Sequence, residues 1–308
     1  MRYASIDIGT NTILMLIGEI DSSLSIERIR DFYEVPRLGK NVSHTKELAA
    51  ESMKRAFSVL RKYSSIAKEY KVEKIIASAT SAVRDATNRE AFIAPVESDF
   101  GIEVEIISGA TEAKLSYMGA VSGAKEKNVP TLVVDIGGGS TELSYGTAVT
   151  PANVASIDVG AVRVTEKFFS DLPPSADEII KANEFIRNNL SAFVFPTADS
   201  YRVFAVAGTA TTLALIAQKK YEFDVSAVTN YQMTSAALRD VIDLLRVKSP
   251  TEILCMTEAA KGRADVLLAG ALILMNVLEA SGAQEFIATD RGLRYGYLLH
   301  KHMQSLEK

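Results

Sequence analysis

Residues 4–18 read ASIDIGTNTILMLIG, and residues 132–146 read LVVDIGGGSTELSYG. Each is an apolar run ending in Asp-Ile-Gly, a stretch of small and hydroxyl residues, and a second apolar run. That is the pattern of two strands joined by a tight turn. The aspartates stand 135 − 7 = 128 positions apart. This is far beyond the roughly 20–50-residue period of a solenoid and close to one domain length. A chain that writes the same hairpin twice at such a distance is constrained to fold as two similar halves.

The remaining pattern follows that plan. RYASIDIG, ILMLIGEI and DFYEVPRLG predict three strands, with turns near residues 9–11 and 21–23. A helical run carries Leu48, Met53, Phe57, Leu60, Ile66 and Tyr70 on its apolar positions. KIIASA predicts a strand, residues 88–98 a helix, VEIIS a strand, and residues 108–123 a further helix. From Pro130 the order restarts with TLVVDIG, TELSYG and a strand near 153–158. Helices near 161–169 and 176–190, the strand RVFAVA and a helix opened by GTATTLALIAQ come next. The last part is mostly helical apart from the strand EFIAT, which precedes DRGLRYGYLLHKHMQ. The expected fold class is α/β, two duplicated domains with a cleft between them. Residues 1–124 make the expected first domain and 125–293 the second, with a hinge in KEKNVP at 125–130. The final helix, about 294–308, is expected to pack back on the first domain.

Composition narrows the class. A chain of 308 residues exceeds the size of about 250–300 at which single cores stop growing. The net charge of −4 argues against a nucleic-acid or anionic-membrane binder, so an anionic ligand would need local positive partners. Cys255 is the only cysteine, which excludes an intrachain disulfide and fits a reducing compartment. Asp7 comes too early for a signal peptide. The apolar stretch VLLAGALILMNVL at 266–278 is shorter than the about 20 residues of a membrane span and reads as a buried core helix. The expectation is a soluble, cytoplasmic protein.

Glycine turns tolerate positive φ and let backbone approach a ligand closely, and their successive N–H groups form a concavity for anions. An aspartate at the same turn repels a bare phosphate unless a divalent cation stands between them. Mg²⁺ takes one or two carboxylates together with water and phosphate oxygens. Asp7 and Asp135 beside such turns therefore have the composition of a metal–phosphate site. The competing reading is two ordinary hairpins with aspartate as a turn former. Against it, the run Gly137, Gly138, Gly139 costs up to about 1 kcal/mol per residue in backbone entropy relative to Ala. A third turn, Gly208-Thr209-Ala210-Thr211-Thr212, opens a helix, where free N–H donors suit phosphate, although Thr is also a common cap.

ASIDIGTNT, SATSAVRDATN, IISGATEAKLSYMG, VVDIGGGSTEL and GTATTLA together resemble the exopolyphosphatase and guanosine-pentaphosphate phosphohydrolase (Ppx/GppA) family of the actin/sugar-kinase/Hsp70 superfamily. The resemblance runs in order over nearly the whole chain. It implies two ribonuclease-H-like, actin-like ATPase domains. The implied reaction is hydrolysis of a terminal phosphoanhydride, of inorganic polyphosphate or of pppGpp to ppGpp. Mg²⁺ is the implied cofactor, with K⁺ stimulation and a homodimer left open. By the same resemblance Glu112 orients the attacking water, Arg84 lies near the phosphates, and Asp135 and Glu142 hold the metal or position water. Asp7 completes the acidic rim from the other domain. Asn11, Thr12, Gly137, Gly138, Gly139, Ser140, Thr141, Gly208 and Thr209 are the expected phosphate-loop residues, and Arg37 and Lys40 contacts to a longer anionic chain. With Ser108 as N-cap, Glu112 falls in or just beyond the first helical turn, where the dipole favours a carboxylate. Two positions depart from the family: Ala207 replaces the first of two glycines, and Tyr295 stands where many members have an acid. Longer members add a C-terminal helical region, so a chain ending at 308 is expected to favour short polyphosphates or the nucleotide. A kinase or ATPase of the same superfamily and a non-catalytic nucleotide or polyphosphate sensor remain the alternative readings.

Overall fold

The computed structural model describes residues 1–124, 126, 128–197 and 201–306. The first half runs β1 (Arg2–Ile8), β2 (Ile13–Ile20), β3 (Ile26–Glu34), α1 (Val42–Thr45), α2 (Ala50–Glu69) and β4 (Lys74–Ala79). It continues through α3 (Ser81–Asp85), α4 (Glu90–Phe100), β5 (Val104–Ile106) and α5 (Gly109–Ser122). The second half restarts with β6 (Thr131–Ile136), β7 (Thr141–Gly146) and β8 (Asn153–Ile157), then α6 (Ala161–Phe168), α7 (Ala176–Leu190) and β9 (Arg202–Val206). It goes on with α8 (Ala207–Ala217), α9 (Val225–Val228), β10 (Tyr231–Thr234), α10 (Ser235–Leu245) and α11 (Pro250–Leu254). The chain closes with α12 (Leu267–Ser281), β11 (Glu285–Ala288) and α13 (Leu293–Leu306).

The sheets repeat one plan. The first has the order β3-β2-β1-β4-β5, and the second, taken from its β8 edge, β8-β7-β6-β9-β11-β10. In both, the leading three strands are antiparallel and the crossover strand is parallel to the first. The 128-residue offset persists across the sheets: Asp7 pairs with Ser78 on β4, and Asp135 pairs with Val206 on β9. The fold is thus a duplicated ribonuclease-H-like, actin-like α/β architecture.

Alternation sets the layers. On β1, Ala4, Ile6 and Ile8 face the core that α2 and α4 complete, while Tyr3 turns to the other face. On β6, Leu132, Val134 and Ile136 face the large core of the second half, and Val133 turns away from it. The apolar segment at 266–278 is the body of α12, and its residues from Leu267 to Leu278 are buried throughout. Each full burial of a Leu or Ile there stabilises the fold by about 1.5–3 kcal/mol.

The inner faces are covered reciprocally. α5, built by the first half, lies over β6, β7 and β8, whereas α13, built by the second, lies over β1, β2 and β4. Tyr117, Ala120 and Val121 of α5 pack on Val133, Phe204 and Val206. Tyr295, Tyr297, Leu298 and Leu299 of α13 share a cluster with Tyr3, Leu16 and Ile76. The helices cross at glycines: a Cβ at Gly119 would overlap the Gly292 carbonyl, and one at Gly296 the Leu115 carbonyl.

Some local expectations shift. The third strand begins at Ile26 and ends at Glu34, earlier than DFYEVPRLG implied, because its charged residues pair along an edge and mask the alternation. β10 is an additional short edge strand in a part that reads as mostly helical. Of the expected hinge at 125–130, Lys125 and Lys127 lie outside the described residues.

Candidate functional site

The same alternation that buries the outer cores aims the acids inward. Asp7 lies on the β1 face shared by Tyr3 and Ser5, and Asp135 on the β6 face shared by Val133. Both faces are turned toward the crossed helices. Glu142 sits opposite Asp135 in the β6–β7 register. From the helix layer comes Glu112. Ser108 caps α5 by accepting the Thr111 N–H, which puts Glu112 in the first turn, buried.

The two turns are built alike and meet. Gly9 N–H donates to Thr12 O at 3.0 Å, and Gly137 N–H donates to Ser140 O at 3.0 Å. Gly138 is pressed on the opposite turn, where an added Cβ would stand 2.9 Å from Thr10 Cβ. A Cβ at Gly139 would overlap Ser81 Oγ. The glycine run therefore has a packing reason, close approach of one half to the other, besides any ligand.

Glu112, Asp135 and Glu142 are each tied by one oxygen. Arg84 Nη1 donates to Glu112 Oε2 at 3.0 Å and to Ile107 O at 3.1 Å. Ser116 Oγ donates to Asp135 Oδ2 at 2.5 Å, and Ser156 Oγ to Glu142 Oε1 at 2.7 Å. Asp7 Oδ1 and Glu142 Oε2 are buried without a partner. Burial, then the Asp135 charge, push the Asp7 carboxyl up to about 7, with Arg294 pulling it down. Burial also raises Glu112, Glu142 and Asp135. Glu142 adds repulsion on Glu112, Asp135 adds it on Glu142, and the Ser116 hydroxyl works the other way on Asp135.

Buried acids that repel one another and keep bare oxygens call for a cation. Among the described residues no three His, Cys, Asp or Glu side chains converge on one point as a closed metal cage. Mg²⁺ takes one or two carboxylates and otherwise water and ligand oxygens, and needs no such cage. On the two orphaned oxygens, the residues present fit such an ion.

Other expected residues are engaged between the halves or within them. Arg37 forks onto Asp265, with Nη1 2.7 Å from Oδ2 and Nη2 2.8 Å from Oδ1. Asn11 donates to Gly262 O at 3.1 Å. The Thr141 hydroxyl donates to Val159 O, and Thr209 packs where a Cβ on Gly270 of α12 would stand. Ser140 is buried at its turn, Thr12 is half-buried, and Lys40 is exposed. Ala207 takes φ +65°, the conformation for which a glycine is favoured. Gly208 is where close approach occurs, because the Arg263 guanidinium occupies the space of its missing side chain. Tyr295 is fully buried under the Arg291 guanidinium, 4.9 Å from its ring centre.

Arg263, Ser116 and Ser156 went unseen as site residues in the sequence. Arg263 is nearly buried, its Nε has no partner, and it stacks 4.9 Å from the Tyr33 ring centre at the N-terminus of α8. Only the pairing of Arg and Asp just before the apolar run at 266–278 could have drawn notice to it.

The sequence profile of the Ppx/GppA phosphatase family matches residues 18–305. Exopolyphosphatase 2 of Mycobacterium tuberculosis is 31% identical over 312 residues, covering 97% of this chain and 98% of that protein. Among solved structures, the Aquifex aeolicus Ppx/GppA enzyme is similar with a TM-score of 0.82 at 32% identity, over 97% of this chain and 99% of the other. An exopolyphosphatase from Cytophaga hutchinsonii is similar with a TM-score of 0.89 at 25% identity, over 99% and 98%.

Proposed function

The chain belongs to the Ppx/GppA phosphatase family, and we propose that it releases orthophosphate from the end of inorganic polyphosphate or of pppGpp. One observation carries the reading. Glu112 stands on α5, a helix of the first half that covers the strands carrying Asp135 and Glu142 of the second and bonds Asp135 through Ser116. The exopolyphosphatase names of full-length relatives support the same substrate class.

In this reading Asp135 and Glu142 would hold a Mg²⁺ ion, and Asp7 from the opposite half would reach it through water. When bound, the ion neutralises phosphate charge and stabilises charge on the leaving oxygen. Arg84 fixes the Glu112 carboxylate by its ion pair and offers its remaining donors to phosphate oxygens, a fork suited to them. Glu112 aims a water in line with the terminal phosphorus and takes its proton as the bond forms. Its raised affinity for a proton suits it to that transfer. Positioning and electrostatics carry most of such a reaction.

Phosphate release from polyphosphate, pppGpp and ATP, each with Mg²⁺ and with chelator, tests the proposal. Glu112→Gln is expected to lower turnover by about 10²–10⁴-fold with substrate binding retained. Unchanged turnover in that variant, or turnover of ATP alone by the wild type, overturns it.

A further inference from the structure

We propose that Ser116 is a positioning residue for the cation site: it fixes the Asp135 carboxylate so that one oxygen stays free for the ion. A buried hydroxyl on a helix usually turns back to the carbonyl four residues earlier. Thr165 and Thr212 do so here, bonding Ala161 O and Gly208 O. Ser116 does not. Fully buried in the middle of α5, it donates to Asp135 Oδ2 across the seam between a helix made by the first half and a strand made by the second. Among the described residues it is the side chain that hydrogen-bonds Asp135.

The placement has a consequence for geometry. Ser116 follows Glu112 by four positions, so both project from one face of α5. One helix thereby aims the water-holding acid and clamps the cation-holding acid. Ser156 repeats the device on Glu142, bonding Oε1 and leaving Oε2 bare. Outer partners of this kind orient carboxylate ligands and are worth about 10–100-fold in metal affinity.

The inference rests on reading Asp135 as a cation ligand, and its test does not depend on turnover. Mn²⁺, which accepts the same oxygen set as Mg²⁺, is titrated into the resting full-length protein and followed by electron paramagnetic resonance. Ser116→Ala is expected to weaken Mn²⁺ binding by about 10-fold, while Ser116→Thr, which keeps the hydroxyl, stays near wild type. Should the alanine variant fail to fold by circular dichroism, Ser116→Cys, close in volume and a weak donor, is judged by the same criterion. Equal affinity in the wild type and the alanine variant overturns the proposal, as do equal losses in the alanine and threonine variants. A wild type that binds no Mn²⁺ overturns it as well. Phosphate release by the wild type is measured separately. Release with no effect of Ser116 on Mn²⁺ leaves the functional reading standing and removes this one. A Ser116-dependent Mn²⁺ site without release does the reverse.

Discussion

Asp7 shows what one buried carboxyl does to the energetics of the whole chain. Its ordinary value of 3.8 is moved to about 7 by burial and by the charge of Asp135. A group raised in this way favours the fold while neutral, so its contribution is complete below the unfolded value and is lost as pH rises through the folded one. Replacing it by a neutral isostere removes that loss. Asp7→Asn is therefore expected to melt at a higher temperature than the wild type near pH 8 without divalent cation, with the gap narrowing as pH falls and closing below the unfolded value of 3.8. Calorimetry across that pH range checks this, and a lower melting point for the variant near pH 8 contradicts it. The acids themselves were legible because they stand in short, ordered motifs. Their partners were not. Ser116 and Ser156 acquire meaning only from what the fold sets opposite them, and a serine within LSYMG carries no mark of a carboxylate across the seam.

At the scale of elements, the strands announced themselves by alternation, and the repeated hairpin gave the duplicated plan. Packing of the final helix on the first half was an expectation of the sequence, but the passage of α5 onto the second sheet did not announce itself. α5 is buried over most of its length and has almost no polar stripe to show which sheet it faces. The crossing is instead legible in hindsight in its glycines. Gly296 has no room for a methyl group against the Leu115 carbonyl. Because that neighbour is backbone, it cannot rotate away. Gly296→Ala is expected to destabilise the protein by about 1–3 kcal/mol or more, read as an earlier denaturant midpoint. Wild-type stability in the variant would mean that the helices slide freely past each other.

Across the whole molecule, the halves are joined at their rim by polar links. Beside the Arg37–Asp265 fork and the Asn11–Gly262 bond stand Arg163–Asp85, Arg28–Asp290, Tyr33 on the Lys261 carbonyl, and Glu166 on Asn41 N–H and Ser43. Partly exposed ion pairs contribute only about 0–1 kcal/mol each, so such a rim closes the seam without locking it. Asp265→Asn is expected to speed hydrogen–deuterium exchange in residues 36–41 and 262–266 while leaving β1 protected. Equal exchange in both proteins would show that this pair does not hold the rim.

No helix among the described residues is long and apolar enough to cross a membrane. What the chain has in place of one long core is a handshake. Each half lends a helix to its neighbour, so severing the chain between α5 and β6 would deprive both sheets of a covering they cannot supply for themselves. Neither half is a tenant that can move out alone.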